Sequence, residues 1–452
     1  MSPVADGELL ALAARVAGWA RSGEQVEAYV ARSRDTDVVV YGGEIESLSS
    51  ATSEGVGIRV VAGGRQGFAY AGSLDEAMVA GTFAEARDNA GFATADEFVG
   101  LAEPDGVAPV QLDLWRDELL EFPAASKVDL AMELERQVKA GDPRIRSVES
   151  ASYGDGAFES AIATSTGISE TSRRSRCYVS AYALAGEGDD TQSGGGYSVG
   201  RCQSELDLDK ATADAVDRST RLLGARKPPS GRLTVVLDPK VTSTLLSILS
   251  GTLSGESVLK GRSLFAQRMG EEVGTASLTL VDDPTDPDAY GASTSDAEGL
   301  ACRRNVLIAG GVLQGFVHNT YSGRRAGLAS TGSAVRGGFK SAPGVGCRAL
   351  SLVPGEHTQE EVLAMVGSGL LVQSISGVHS GVNPVSGDFS VGAEGLMIRD
   401  GQLADPVREI TVASTIQRML KAVVAVGGDL EWLPGPAAGV TLAIADMSMS
   451  GA

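Results

Sequence analysis

Between Ser374 and Ser414 the chain reads SISGVHSGVNPVSGDFSVGAEGLMIRDGQLADPVREITVAS, in which glycine-punctuated turns alternate with short strand-like runs. Gly377, Gly381, Gly387, Gly392 and Gly395 fall where a backbone must turn or approach another backbone closely, which glycine does at no steric cost. Asn383-Pro384 opens a turn, and Gly387-Asp388-Phe389-Ser390-Val391 resumes an extended run. Asp400-Gly401 then supplies a hairpin tip between Leu396-Met397-Ile398 and the run from Leu403. A stretch of this kind folds as one packed β unit. Asn383, Pro384, Gly387, Asp388 and Phe389 are its candidate signature.

The rest of the chain is consistent with that platform. Its 58 glycines against 5% aromatic residues favour turns and short strands, because glycine weakens a helix interior by about 1 kcal/mol relative to alanine. With 452 residues, 43% of them hydrophobic, there is material for two or three domains. The formal charge of −20 repels a phosphate backbone, so nucleic acid is not an expected partner. Asp6 and Glu8 stand where a secretory signal needs a basic start, and no stretch approaches ~20 uninterrupted apolar residues. A cytoplasmic protein without a membrane contact is expected. Cys177, Cys202, Cys302 and Cys347 lie far apart without C-x-x-C spacing and read as free thiols.

Taken in order, residues 7–21 place Leu9, Leu12, Ala13, Val16 and Ala20 on one helical face, with Asp6 as the cap. Four short strands are expected next, at Val26 to Val30, Val38 to Val40, Ile45 to Leu48 and Ile58 to Val61, broken by Gly42-Gly43 and Gly63-Gly64. Ser73 to Glu76 reads as a capping box that opens a second helix with Leu74, Ala77, Met78, Phe83 and Ala84 inward. Pro104 and Pro109 mark a linker. Ser126 with Asp129 caps a third helix that carries Val128, Ala131, Leu134 and Val138 and ends at Gly141. From Ile145 to Gly200 a strand meander is expected, with Gly186 to Asp190 and Ser193 to Gly196 as exposed loops. A helix with Ala211, Ala215, Ser219 and Leu222 on one face leads to Lys227-Pro228-Pro229-Ser230-Gly231, the strongest domain boundary. Beyond it lie a buried strand from Leu233 to Leu237, a helix from Lys240 to Ser250, strands and glycine loops, and a helix from His357 to Gly367. The fold class is α+β. An N-terminal helix-flanked sheet spans 1–103, a central helix and β meander 104–226, and a large β-rich C-terminal domain 227–452.

The chemistry-bearing residues are few. His318, His357 and His379 are the only imidazoles, and none stands in an H-E-x-x-H arrangement. His357 and Glu361 have ligand spacing, but the segment reads more simply as a first turn capped by Thr358 and rich in acids. The run Asp282 to Asp288 lacks the glycine-turned register of a calcium loop and reads as solvated. Gly310-Gly311 resembles a phosphate loop but has hairpin flanks and no helix after it. No G-x-S-x-G elbow accompanies the serine-rich segments. Arg324, Arg325, Arg336 and Lys340 crowd one loop of an acidic protein, where solvation competes with a carboxylate or partner contact.

The wording G-x-N-P-V-S-G-D-F-S followed by D-G-x-x-x-x-P-V-R resembles the C-terminal signature of the TldD/PmbA family. Arg59-Val60-Val61, Gly67-Phe68-Ala69-Tyr70 and Asp296-Ala297-Glu298-Gly299 extend the resemblance over almost the whole chain. It implies an intracellular peptidase system in which a TldD-type subunit carries a zinc-binding H-E-x-x-x-H helix and a later cysteine ligand, paired with a TldE (PmbA) type subunit. Where the zinc helix should follow Leu233 to Leu237, this sequence has Leu245 to Gly255 without histidine, and Leu442 to Ala452 contains no cysteine. The resemblance therefore implies a subunit with no catalytic or metal-ligating residue of its own, and zinc in a TldD-like partner. The complex would act on unfolded or modified peptides, with Asn383, Pro384, Gly387, Asp388 and Phe389 either structural or lining the peptide channel. The alternative is a stand-alone, non-enzymatic peptide-binding or assembly protein.

Overall fold

The computed structural model describes residues 6–451. Helix α1 (Asp6–Ala17) turns Leu9, Leu12, Ala13 and Val16 inward and stops before Ala20. Asp6 is its first residue, so the cap expected of that side chain lies outside the described side chains. The valine-rich runs do not make four short strands. They merge into two long ones, β1 (Glu24–Tyr41) and β2 (Glu44–Ala62), antiparallel over their full length and followed by β3 (Arg65–Ala71). Gly42-Gly43 and Gly63-Gly64 are the two hairpin tips, all at positive φ, the conformation that such two-residue turns require.

Helix α2 (Glu76–Phe92) is capped by Asp75, whose carboxylate accepts from the N–H groups of Ala77 and Met78. The cap is therefore not Ser73, and the buried stripe is Val79, Thr82, Phe83, Ala86 and Ala90, with Met78 exposed. A short α3 (Asp117–Glu121) precedes α4 (Ala124–Gly141). Pro123 starts α4 earlier than the expected Ser126 cap, yet Ala131, Leu134 and Val138 still face the core.

Strands β4 (Ile145–Thr164), β5 (Ser169–Ala185) and β6 (Gln192–Gly200) form the meander. It is not a separate sheet. β4 pairs with β1 from Glu27 opposite Thr164 to Val40 opposite Ala151, giving one antiparallel sheet in the order β3-β2-β1-β4-β5-β6. Ser193 to Gly196, expected as an exposed loop, is strand. Gly194 and Gly196 are buried beneath α5 (Leu208–Thr220), where an added Cβ would come within 2.2 Å of Ser219 N and 1.9 Å of Ala211 O. Here glycine permits helix and sheet to approach rather than marking a turn.

Alternation along β1 sends Val26, Ala28, Val30, Val38 and Val40 toward the helices, α1 and α2 covering one end and α4 and α5 the other. Tyr29 and Ala31 point the opposite way, where with Ile162 they pack against Leu300 and Phe339 of the C-terminal half. The sheet thus has helices on one face and C-terminal loops on the other.

The C-terminal half begins with β7 (Gly231–Leu237), α6 (Pro239–Thr252) and α7 (Gly255–Leu259). A small sheet follows from β8 (Leu280–Asp282), β9 (Asn305–Ala309), β10 (Val312–Leu313) and, later, β13 (Leu350–Leu352). Helix α8 (Thr320–Ala326) and the ribbon of β11 (Ala334–Val335) and β12 (Gly344–Val345) lie between them in sequence. After α9 (Gln359–Val366) come β14 (Gly369–Ser376), α10 (Val378–Gly381), β15 (Asp388–Arg399), β16 (Gln402–Thr415), α11 (Ile416–Lys421), β17 (Val423–Val426) and β18 (Leu442–Ser450). The large sheet runs β16-β15-β14-β7-β18-β17, and Thr411 to Ala413 of β16 also pair with β18, so the sheet closes on itself. Asp400-Gly401 is the expected hairpin tip between β15 and β16.

Candidate functional site

Helix α6 occupies the position after β7 where the family resemblance looks for a metal. Asp238 caps it, accepting from Lys240 N at 3.2 Å, and Pro239 fits the first turn because it has no N–H to leave unpaired. Leu245, Leu246 and Leu249 fill the core, which leaves Lys240, Thr244, Ser247 and Ile248 on the partly exposed side. No imidazole, thiol or carboxylate stands on that face. A pocket of about 180 Å³ beside it is lined by Lys240, Thr244, Gln373, Ser374 and Tyr182.

The three histidines do not converge. His318 is buried with Nδ1 3.2 Å from Ser322 Oγ, and burial pushes its imidazole down. His357 and His379 are exposed, before α9 and on α10 respectively. Thr358 caps α9 as expected, and Glu361 makes the cap reciprocal, each side chain accepting from the other's backbone N–H. Among the described residues no group of three His, Cys, Asp or Glu side chains is placed to hold a metal ion. All four cysteines are buried free thiols, and burial raises Cys302 to about 12.

The signature around Asn383 is a closed exposed turn over a buried ring. Asn383 Oδ1 accepts from Val385 N at 2.9 Å and Ser386 N at 3.2 Å, Asn383 N donates to Asp388 O, and Gly387 N donates to Asn383 O. Gly387, at φ 86, stands where a Cβ would strike Gln417. Phe389 is 2% exposed and belongs to the main C-terminal core, while Asn383, Pro384 and Asp388 face outward.

Two acidic or basic segments differ from expectation. Asp282 is not solvated but fully buried on β8, with Oδ1 accepting from Arg348 N and Ala349 N. Burial raises its carboxyl to about 6. The basic loop is partly helix α8, and Arg336 makes the carboxylate contact rather than standing in solvent. Its guanidinium donates to Glu27 Oε1 at 2.7 Å and Ala297 O at 2.8 Å, and lies 4.3 Å from the Tyr29 ring centre.

Glu27 also pairs closely with Arg59, which approaches Glu298 at 3.8 Å, and Glu298 Oε2 accepts from Thr320 N at 2.8 Å. Burial alone would raise the Glu27 carboxyl, but Arg59 and Arg336 outweigh it and hold it below the usual carboxylate range. The four charges join β1 and β2 to two C-terminal loops, Glu298 lying between β8 and β9 and Arg336 between β11 and β12. Sequence position alone does not pair these charges, although a charge set between Val26 and Ala28, or between Ile58 and Val60, is the available signal. Asp296 anchors the loop that carries Glu298 and ties it to β11, accepting from the N–H groups of Glu298, Leu300 and Ala334, and burial followed by the proximity of Glu298 raises it to about 7.

Comparison with known proteins accounts for most of the chain. Residues 26–90 match the PmbA/TldA metallopeptidase domain 1, residues 117–223 the central domain and residues 230–451 the C-terminal domain. The chain is 28% identical over 413 residues to the metalloprotease PmbA of Escherichia coli O157:H7, covering 91% of this chain and 89% of that protein. It is 27% identical over 413 residues to a metalloprotease TldD homolog of Haemophilus influenzae, covering 89% and 85%. The crystal structure of TldE from Thermococcus kodakarensis superposes with a TM-score of 0.87 at 22% identity, over 94% of this chain and 97% of that one.

Proposed function

Because this chain belongs to the PmbA/TldD metallopeptidase family, we propose that it is the TldE-type, non-metal subunit of a heteromeric zinc metallopeptidase acting on unfolded or modified peptides. The observation that carries the reading is the exposed side of α6. Lys240, Thr244, Ser247 and Ile248 offer zinc no ligand set there, since zinc needs three or four N, S or carboxylate donors converging at about 2.0–2.3 Å. The residues present do not fit a resident zinc, and no catalytic step is assigned to this chain. The water-activating metal on which such hydrolysis depends belongs to a TldD-like partner.

This subunit supplies surface. β3 pairs only with Val56 to Ala62, so Glu44 to Ser53 of β2 is an exposed strand edge, and Tyr41, Ile45 and Leu48 near it are about half exposed. Such an edge accepts an extended segment through backbone hydrogen bonds. No helix among the described residues is long and apolar enough to cross a membrane; a cytoplasmic location is part of the proposal.

The test is cleavage of unfolded peptides by this chain alone, by a TldD-like chain from the same cell, and by both together, each with and without a chelator. Chelator-sensitive cleavage that needs or is enhanced by this chain is the expected result. Chelator-insensitive cleavage by this chain alone would overturn the proposal, and failure to associate with any TldD-like chain would favour the stand-alone binding protein.

A further inference from the structure

On the face of the N-terminal sheet opposite its helices, a cleft of about 350 Å³ opens between the sheet and the C-terminal loops. Tyr29, Phe158 and Ile162 supply its apolar wall, and four arginines line it: Arg174, Arg176, Arg336 and Arg348. In a chain of net charge −20 such a concentration of positive charge is a local exception. The usual purpose of a paired arginine fork is a carboxylate or phosphate.

Arg174, Arg336 and Arg348 each keep guanidinium nitrogens without an acceptor among the described residues. Arg174, half-buried on β5, stacks 4.6 Å from the Phe158 ring centre and has no carboxylate partner among the described residues. Burial, together with Arg348 and Arg176, pushes it down to about 10. Arg348 gives one nitrogen to Ala334 O at 3.2 Å, but its buried Nε has no acceptor. Arg336, with its side chain only 2% exposed, gives one nitrogen to Glu27 and Ala297, while its Nε and Nη1 are buried without acceptors. Unpartnered buried donors are costly, and here several line the same cavity.

The acids at the cleft offset only part of this charge: Glu27 pairs with Arg336, but among the described residues no carboxylate forms an ion pair with Arg174, Arg176 or Arg348. The oxygens of Asp296 are occupied by three backbone N–H groups. Burial raises the Glu170 carboxyl, and Asp35 is the remaining carboxylate of the lining. We propose that this cleft is a subsite for a peptide carboxylate, either a free C-terminal group or an acidic side chain, held by Arg174 and Arg348 with Arg336 behind them. The size of the cleft is at the low end for small-ligand pockets, about 300–1,000 Å³, which suits one anionic residue lying against Phe158 and Tyr29 better than a polyanion. That the carboxylate belongs to a peptide rests on the peptidase reading, whereas the binding test needs neither a partner nor cleavage.

Calorimetric titration and thermal shift on the full chain decide it, with four probes: an acetylated alanine tetrapeptide with a free C-terminal carboxylate, its C-terminal amide, the amide carrying one internal glutamate, and inorganic phosphate. The free acid, the glutamate peptide or both should bind at least about tenfold more tightly than the plain amide; whichever wins identifies the source of the carboxylate. Arg174→Gln should abolish that preference without lowering the melting temperature of the free protein, because it removes a crowded, unpaired cation. Arg174→Lys, which keeps charge but loses the fork, should retain part of it. Equal binding of acid and amide, no binding up to about 10 mM, or phosphate binding as tightly as the peptides would overturn the proposal. So would an Arg174→Gln protein that melts lower while keeping the preference, since Arg174 would then be structural.

Discussion

The turn at Asn383 and the ionic junction at Glu27 secure the C-terminal half by opposite means. The turn is closed by neighbours: Asn383 satisfies the backbone of Val385 and Ser386, and Phe389 anchors it in the core. The junction is built from Glu27, Arg59, Glu298 and Arg336, far apart in the chain and buried together. A local turn defines a loop whatever surrounds it. A buried charge network defines an arrangement of two halves, because each member is tolerable only while its partners are present.

Breaking the junction should have the largest effect. Arg336→Ala strips Glu27 of one cation and Tyr29 of its stacked guanidinium, and urea denaturation should show a loss of about 3–5 kcal/mol. A loss below about 1 kcal/mol would mean that the halves are held by apolar packing alone. Phe389→Ala tests the turn's anchor. The expected cost is about 3 kcal/mol, the low end for a buried phenylalanine, since the exposed Pro384 to Ser386 segment above it can settle into the gap; an unchanged melting temperature would remove Phe389 from the core.

Protonation separates the buried acids next. Asp282, raised to about 6 by burial, favours the fold most fully below its unfolded pKa near 4, and that contribution is lost as pH rises through about 6. Asp282→Asn should therefore become more favourable relative to the parent between about pH 4 and pH 6, by on the order of 2 kcal/mol. Glu27, lowered by its arginines, has the reverse sign: its contribution is present above its unfolded pKa and is lost only as pH falls through its lower folded value. Melting curves of the parent and Asp282→Asn across this range check the sign; parallel curves would refute it. Asn383→Ala should have the smallest effect, a loss of about 0.5–1.5 kcal/mol from two hydrogen bonds on an exposed turn. A much larger loss would show that the turn holds more than itself.

The sequence was most legible where structure is decided within a few residues. The strand break at Gly42-Gly43, the hairpins at Gly310-Gly311 and Asp400-Gly401, the Thr358 cap, and the α5 stripe of Ala211, Ala215 and Ser219 all follow from backbone conformation or helical period. Ser193 to Gly196 was not legible, because a glycine run has the same appearance whether it turns in solvent or lies beneath a helix. Asp282 reads as solvated until the N–H groups of Arg348 and Ala349, distant in sequence, are brought to it. The arginine cleft had one visible member, Arg336, within the basic loop. Arg174 and Arg348 join it only when β5 of the N-terminal sheet meets the C-terminal loops.

The central claim concerns metal, and zinc content of the purified protein tests it most directly. Elemental analysis of the isolated chain should find no stoichiometric zinc, whereas its complex with a TldD-like partner should hold about one per partner chain. About one tightly held zinc in the isolated chain, lost on His357→Ala or His379→Ala, would contradict the account.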